Sequence, residues 1–430
     1  MRIGLLSFGG PAGQIAVMHR ILVDEKRWIG ESRFLHALNY CMLLPGPEAQ
    51  QLATYVGWLL HGARGGLIAG TLFVLPGLVA LMALSFAYVL WHQHPLIEGV
   101  FLGLKAAVIA VVIEALLRIA KRALKTAIAR LMAAAAFVAI AILHLPFPAV
   151  IVMAGLAGYV AARRGHALGE VGHGTAPGAH VEPEVPLREV RPTVSRVFKL
   201  LALWLPLWCA PVLLVALLLG TDHVFTQLGV FFSKMAVVTF GGAYAVLTYV
   251  AQQAVERFGW VTPAQMVDGL GLAESTPGPL IMVVQFVGFL AAYQAAGGAH
   301  ALLMGTLGAL LTVWVTFVPC FLWIFLGAPY VERLRGNVAL ASALAAITAA
   351  VVGVIANLAL WFALHVLFAN VDTWRVLGVL RIDLPDIATL RIAPAALTGL
   401  ALVLMFVLRW SFARCLGVCA VLGAVLTRFS

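Results

Sequence analysis

The sequence predicts an all-α integral membrane protein built from two homologous helical repeats, inverted relative to each other, and three observations predict it. Of 430 residues, 63% are hydrophobic and only 11% charged, whereas soluble domains run at about a quarter charged. Apolar runs of about 20 residues, each long enough to cross a bilayer, recur along the whole chain. The chain also repeats itself at a shift of 232 residues.

Under that shift Phe8-Gly9-Gly10 falls on Phe240-Gly241-Gly242, and Pro45-Gly46-Pro47 falls on Pro277-Gly278-Pro279 without a gap between them. Val23 falls on Val255, Trp28 on Trp260 and Leu38 on Leu270, and Arg2/Lys234, Ser7/Thr239 and Asp24/Glu256 are chemically matched pairs. Pro76 and Pro319 correspond if the second half carries about a dozen extra loop residues around Gly297-Gly298. The apolar stretches from Leu104 and Ala346 then correspond loosely. The expected organisation is a first repeat over 1–120 and a second over 221–365. Residues 121–220 hold a helical hairpin, a polar linker (163–197) and one connecting span, and 366–430 a C-terminal loop and further membrane segments. Only seven residues precede the first Phe-Gly-Gly, where the second copy has a whole helix, which reads as a shortened N-terminus.

Loop charge orients the chain. Arg118, Lys121, Arg122, Lys125 and Arg130 precede a short hairpin (131–146 and 148–162), and Arg163 and Arg164 follow it. Basic loops stay cytoplasmic, so both ends of the hairpin face inward. The first half holds four apolar segments (3–22, 34–60, 66–90 and 97–117), and three more (131–146, 148–162 and 198–220) lead to the second half. An odd number of crossings between the copies makes an inverted repeat, a construction common in secondary transporters. The loop 24–33 resists this, because Lys26, Arg27 and Arg33 would face outward unless segments one and two are re-entrant. Both alternatives stay open from sequence.

Several function classes drop out. The net charge of +10 is accounted for by cytoplasmic loops in contact with lipid, so no nucleic-acid partner is expected. The five cysteines form no C-x-x-C pair, no cleavable signal is visible, and no cofactor is expected. No P-loop is present, so pumping by an ATPase of this chain's own is not expected. His166, His173 and His180 recur every seven residues in the linker, but with no cysteine beside them a flexible connector is preferred over a metal site. A membrane enzyme would need a metal, cofactor or nucleophile–base constellation that the scattered histidines do not offer.

The Gly and Pro motifs are the candidate binding elements. Each Pro-Gly-Pro falls inside an apolar stretch, where Pro removes a backbone donor and breaks the helix. In hydrocarbon such a break is tolerated only where protein or a water-filled cavity meets the freed groups. The half-helix that follows presents free N–H groups and a positive dipole end, which bind anions. A plain Pro kink is the competing reading, and two copies at matching positions favour a site. Pro45, Gly46, Pro47, Thr276, Pro277, Gly278 and Pro279 are therefore candidates, with Gly9, Gly10, Gly241 and Gly242, whose bare backbones permit close approach. Gln50 and Gln51 could donate to an oxyanion. Charges within apolar segments are expensive and mark function. Lys105 could neutralise an anion or pair with a carboxylate such as Glu48, and Lys234 lies well inside its segment. Glu114 and Arg118 read as an i,i+4 pair. Glu48 and Glu274 flank the two Pro-Gly-Pro motifs as proton-coupling candidates, with helix capping an equal alternative for Glu48.

At these residues the chain resembles the chromate transporter family: S-F-G-G-P at 7–11, a Trp-bearing loop at 28, L-P-G-P-E-A-Q-Q at 44–51, and F-G-G and T-P-G-P again at 240–242 and 276–279. The resemblance spans 1–120 and 221–365; Ala243 departs from it where a Pro is expected. It implies a multi-pass inner-membrane protein that exports chromate, with two homologous halves of opposed orientation. A transporter of sulfate or another oxyanion is the nearer alternative. Expected partners are a chromate- or sulfate-like oxyanion and the lipid bilayer, and a homo-oligomer is left open.

Overall fold

Glycine and proline decide where this chain turns. The computed structural model describes residues 1–7, 10–42, 44–92, 94–166, 193–240, 243–328, 338–376 and 380–429. Among them, five helices are long and apolar enough to cross a membrane. The first repeat runs through α1 (Arg2–Leu6), α2 (Gly10–His19) with a π-helical end (Arg20–Glu25), α3 (Glu31–Cys41), α4 (Glu48–Trp91) and α5 (Pro95–Ala123). Two short helices, α6 (Ala127–Ala141) and α7 (Phe147–Arg163), and a long one, α8 (Val194–Leu219), lead on. The second repeat comprises α9 (Val224–Val238), α10 (Ala243–Ala251) with a π-helical end (Gln252–Arg257), α11 (Pro263–Ser275), α12 (Val283–Ala296), α13 (Ala301–Gly327) and α14 (Val338–Leu367).

The first two segments of each repeat fold back at their motifs. Arg2 at the start of α1 ion-pairs with Glu25 at the far end of α2's π-helical extension, 2.9 Å away, so α2 runs back alongside α1. In the second repeat Phe231 of α9 packs its ring on Tyr249 and Trp260, centroids 5.3 and 5.7 Å apart. Gly269 of α11 lies against the Phe286 ring of α12, and Tyr40 of α3 against Tyr55 of α4, so each Pro-Gly-Pro is a second reversal. Within α4 the helix breaks at His61 and Gly62 (φ +66°). Its two limbs then pack antiparallel, so closely that a Cβ on Gly57 would lie 2.5 Å from the Gly65 carbonyl oxygen.

Re-entrance resolves the charge conflict. If the first two segments do not cross, Lys26, Arg27 and Arg33 share a face with Arg64 and with the basic run from Arg118, because α4's long limb and α5 go out and back once.

The hairpin tips of the two repeats interlock. The Gly46 N–H donates to the Thr239 carbonyl (2.9 Å), and the Gly278 N–H donates to the Ser7 carbonyl (2.9 Å). Each motif glycine thus meets the residue before the other repeat's Phe-Gly-Gly, so the two contacts are reciprocal. Pro76 and Pro319 correspond as expected: Gly77 packs on Gly278 and Cys320 on Gly46. The counterparts α4 and α13 pack antiparallel, Gly66 against Phe325 and Gly70 against Phe321.

The C-terminal segment corrects the all-α expectation. Strands β1 (Val371–Val376) and β2 (Leu380–Pro385) pair antiparallel, with Thr373 Oγ1 donating to Asp383 Oδ1 (2.8 Å). Polar and apolar residues alternate with period two over Leu380–Leu384 of β2, which suits a ribbon outside hydrocarbon. Helices α15 (Ile392–Leu402, with a π-helical end Val403–Val407) and α16 (Phe412–Phe429) follow and pack on α5.

Candidate functional site

A cleft of about 1450 Å³ opens between the repeats. Its deep wall carries Gly10, Glu48, Phe240, Ala243 and Tyr244, the residues around the interlocked tips. Its other wall is α5, whose Arg118 and Arg122 face it with Lys125 just beyond. Loop charge predicts a cytoplasmic position for this basic end, and the cleft offers anions a positive entrance leading to backbone breaks.

The tips owe their shape to positive-φ glycines: Gly10 at +75°, Gly46 at +121° and Gly278 at +106°. Other residues rarely adopt such angles. After Pro47, extended at φ −66° and ψ 105°, α4 begins at Glu48 as the motif requires. The second half-helix starts with a tighter 3₁₀ turn (Leu280–Met282) before α12. Thr276 is turned inward and bonds the Ala273 carbonyl (3.1 Å).

Several expectations need correction. The Gly46 and Gly278 N–H groups do not await a ligand, because they tie the two repeats together. In α4 it is the first-turn N–H groups of Glu48, Ala49 and Gln50 that lack intrahelical acceptors, since Gln51 N–H already donates to Pro47. Gln50 and Gln51 are fully buried. Gln51 Nε2 donates to the Pro45 carbonyl (2.7 Å) and Gln50 Nε2 to Thr54 Oγ1 (3.1 Å). They brace the tip, since a buried amide must find internal partners. Lys234 is exposed on α9 and absent from the cleft, where a long cation can keep its head in a polar layer. Gly9, Gly241, Gly242, His173 and His180 lie outside the described residues.

Lys105 also lies away from the cleft. Its ammonium pairs with Asp268 Oδ1 of α11 at 3.2 Å, and Asp268 Oδ2 accepts from Tyr88 (3.0 Å). The partner is thus a carboxylate of the other repeat rather than Glu48. Asp268 is 2% exposed, and removing one member of a buried pair strands the other's charge, about 3–5 kcal/mol. Lys105→Met is therefore expected to lower the melting temperature sharply, and adding Asp268→Asn to restore most of it. If the double variant melts no higher than the single one, the pair is not what holds α5 to α11. Glu114 and Arg118 do form the expected ion pair.

Two polar groups at the tips escaped the sequence reading, and Glu274 gained a partner in the structure. Tyr244, one turn after the second Phe-Gly-Gly, lines the cleft and donates to Glu274 Oε1 (2.5 Å). Glu274 is 1% exposed and its Oε2 has no partner among the described residues. Gln14, the second, donates to the Gly278 carbonyl (2.7 Å), bonding the first repeat directly to the second tip.

The sequence profile of the chromate transporter family matches residues 1–159 and 226–425. This chain belongs to the chromate transporter family. It is 33% identical to a chromate transport protein of Pseudomonas aeruginosa over 360 residues, 83% of this chain and 77% of that one. A chromate transport protein of Cupriavidus metallidurans is 29% identical over 83% of this chain and 79% of its own. A probable chromate transport protein of Synechococcus elongatus is 28% identical over 83% and 81%. No solved structure matches the chain. As a member of the chromate transporter family with several membrane-length apolar helices, it is a multi-pass integral membrane protein. The match takes in the interlocked tips, both walls of the cleft and most of α16.

Proposed function

We propose that this protein exports chromate, a tetrahedral dianion, across the inner membrane as a secondary transporter and so confers chromate resistance. The observation that carries the reading is the cleft whose basic entrance leads to the paired helix breaks. The relatives named for chromate transport support it. Membrane potential suffices as a driving force: moving a dianion out of a negative interior gains about 4.6 kcal/mol per 100 mV. A proton gradient would act through Glu48 or Glu274, because a carboxylate near the anion repels it when ionised.

In this reading residues 1–120 and 221–365 are inverted repeats. The antiparallel pairing of α4 with α13 and the reciprocal hydrogen bonds support a two-fold axis across the helices, in the membrane plane. Gly10, Pro45–Pro47 and Thr276–Pro279 shape the tips, and the free N–H groups opening α4 hold the oxyanion. Sulfate or another oxyanion remains the second reading, favoured by one fact: cationic side chains and backbone N–H groups read charge and shape alike for both. A transporter family gives no support to the enzyme alternative.

Everted vesicles turn export into uptake. Radiolabelled chromate is expected to accumulate in them when the lumen is made positive, and less so once the potential is collapsed. Uptake of sulfate with none of chromate would select the second reading, and uptake of neither would refute both.

A further inference from the structure

Among the described residues a structural unit occurs three times, once outside the two repeats. In each instance a helix ends in a π-helical stretch, one residue turns left-handed, a Trp follows and a new helix starts. The left-handed residues are Arg27 (φ +50°), Gly259 (φ +62°) and Arg409 (φ +54°). The hydrogen bonds keep one register: Lys26 N–H to Ile21 and Trp28 N–H to Leu22; Phe258 to Gln253 and Trp260 to Ala254; Leu408 to Val403 and Trp410 to Leu404, all 2.8–3.0 Å. The hairpin of α15 and α16 is thus a third copy of the unit that joins α2 to α3 and α10 to α11.

Its position sets its tip in the cleft. Gly99 and Gly103 of α5 receive α16 at Gly423 and Cys419, in antiparallel order. The tip at 408–411 therefore falls beside Val111, about 10 Å along α5 from Arg118 at 1.5 Å per residue. Arg409, Trp410 and Ser411 line the cleft there, together with Glu48 and Tyr244. Arg118 is neutralised by Glu114, whereas Arg409 pairs with no carboxylate among the described residues.

We infer that Arg409 is a binding residue for the transported oxyanion, presented to the deep cleft by this third π-capped hairpin; the inference rests on the oxyanion reading above. The cap itself does not ask for arginine, since Gly259 fills the same position without a side chain to strain. A guanidinium at membrane depth needs a counter-charge, and its planar fork fits two oxygens of a tetrahedral anion at once. The same chemistry would fit a lipid phosphate entering from the cytoplasmic leaflet.

The test compares wild type, Arg409→Gly and Arg409→Lys, each purified and reconstituted in vesicles with and without phosphatidylglycerol. Arg409→Gly relaxes the cap, so it is expected to melt at or above the wild-type temperature. Its KM for chromate is expected to rise at least about tenfold, with Arg409→Lys between the two, because a lysine keeps the charge but loses the fork. The inference falls alone if wild type carries chromate and Arg409→Gly carries it with unchanged KM. It also falls if the variant loses only a stabilisation by phosphatidylglycerol, which would make the site a lipid one. If wild type moves no oxyanion in either membrane, the oxyanion reading falls and takes the inference with it.

Discussion

Gly278→Ala is expected to abolish chromate export, and Gly46→Ala only to weaken it, although the two glycines hold equivalent places in the repeats. At Gly278 (φ +106°) a Cβ would lie 2.8 Å from the Gly77 α-carbon and 3.1 Å from its nitrogen. Backbone of α4 cannot step aside. At Gly46 (φ +121°) the nearest atoms are Cys320 Sγ at 2.8 Å and Gln51 Nε2 at 2.9 Å, both on side chains. Left-handed strain and overpacking together should destabilise the Gly278→Ala crossing by on the order of 3 kcal/mol or more. The asymmetry offers a rescue: Cys320→Ala added to Gly46→Ala should recover flux, and nothing equivalent exists for Gly278, where the clash is with glycine backbone. Flux per protein in the membrane, with both levels measured by immunoblot, checks this. Equal losses at both positions, or no rescue by Cys320→Ala, would show that the interlocked tips are not what the substitutions disturb.

Glu48→Gln is expected to leave chromate/chromate exchange running while removing its response to an imposed pH gradient. Glu48 opens α4 at the cleft wall, facing the same space as Arg122. The amide keeps the shape and gives up ionisation, so only proton-dependent steps should change. If Glu48 merely complements the helix dipole, the substitution should remove a few tenths to about 1 kcal/mol of stability and leave the pH response intact. Exchange and gradient-driven flux measured in the same proteoliposomes distinguish the two outcomes. An unaltered pH response would shift the coupling role to Glu274, the buried carboxylate that Tyr244 holds.

Where the sequence reading succeeded, the requirement was local. A Gly at positive φ or a Pro inside an apolar run leaves a mark that no neighbour is needed to interpret, so both tips and their 232-residue register were legible. The positive charges at Lys26, Arg27 and Arg33 raised re-entrance as one of two alternatives, and the fold-back of α1 on α2 suits it. Failures came where packing between distant residues decides. Lys105 was flagged as a buried charge, but its partner Asp268 lies in the other repeat, 163 positions away. The same rule applied to α11 would have found Asp268, an acid within an apolar stretch.

The polar residues at the tips show why a symmetric reading missed part of the site. Tyr244 stands where the first repeat has Ala12, Glu274 where it has Met42, and Glu48 where the second has Leu280. The scaffold repeats but the chemistry does not. Gln50 and Gln51 misled for another reason: an amide's donors look free in a sequence, and only the fold shows that Pro45 and Thr54 occupy them. In the β-ribbon, the alternation from Leu380 to Leu384 was a readable signal, overlooked because the surrounding composition spoke so strongly for helices.

The central claim is that the oxyanion travels through the cleft in which the two repeats' tips interlock. Ala16 lies on α2 in the wall of that cleft and is exposed to it, so a cysteine there gives the most direct test. In a Cys209→Ser background, which removes the exposed native thiol, Ala16→Cys should carry chromate until a membrane-impermeant maleimide is applied from the cytoplasmic face. The account predicts that labelling then stops flux in proportion to the fraction modified, because the adduct fills the cleft. Protein labelled to completion at Ala16→Cys that still transports chromate at the unlabelled rate would contradict it.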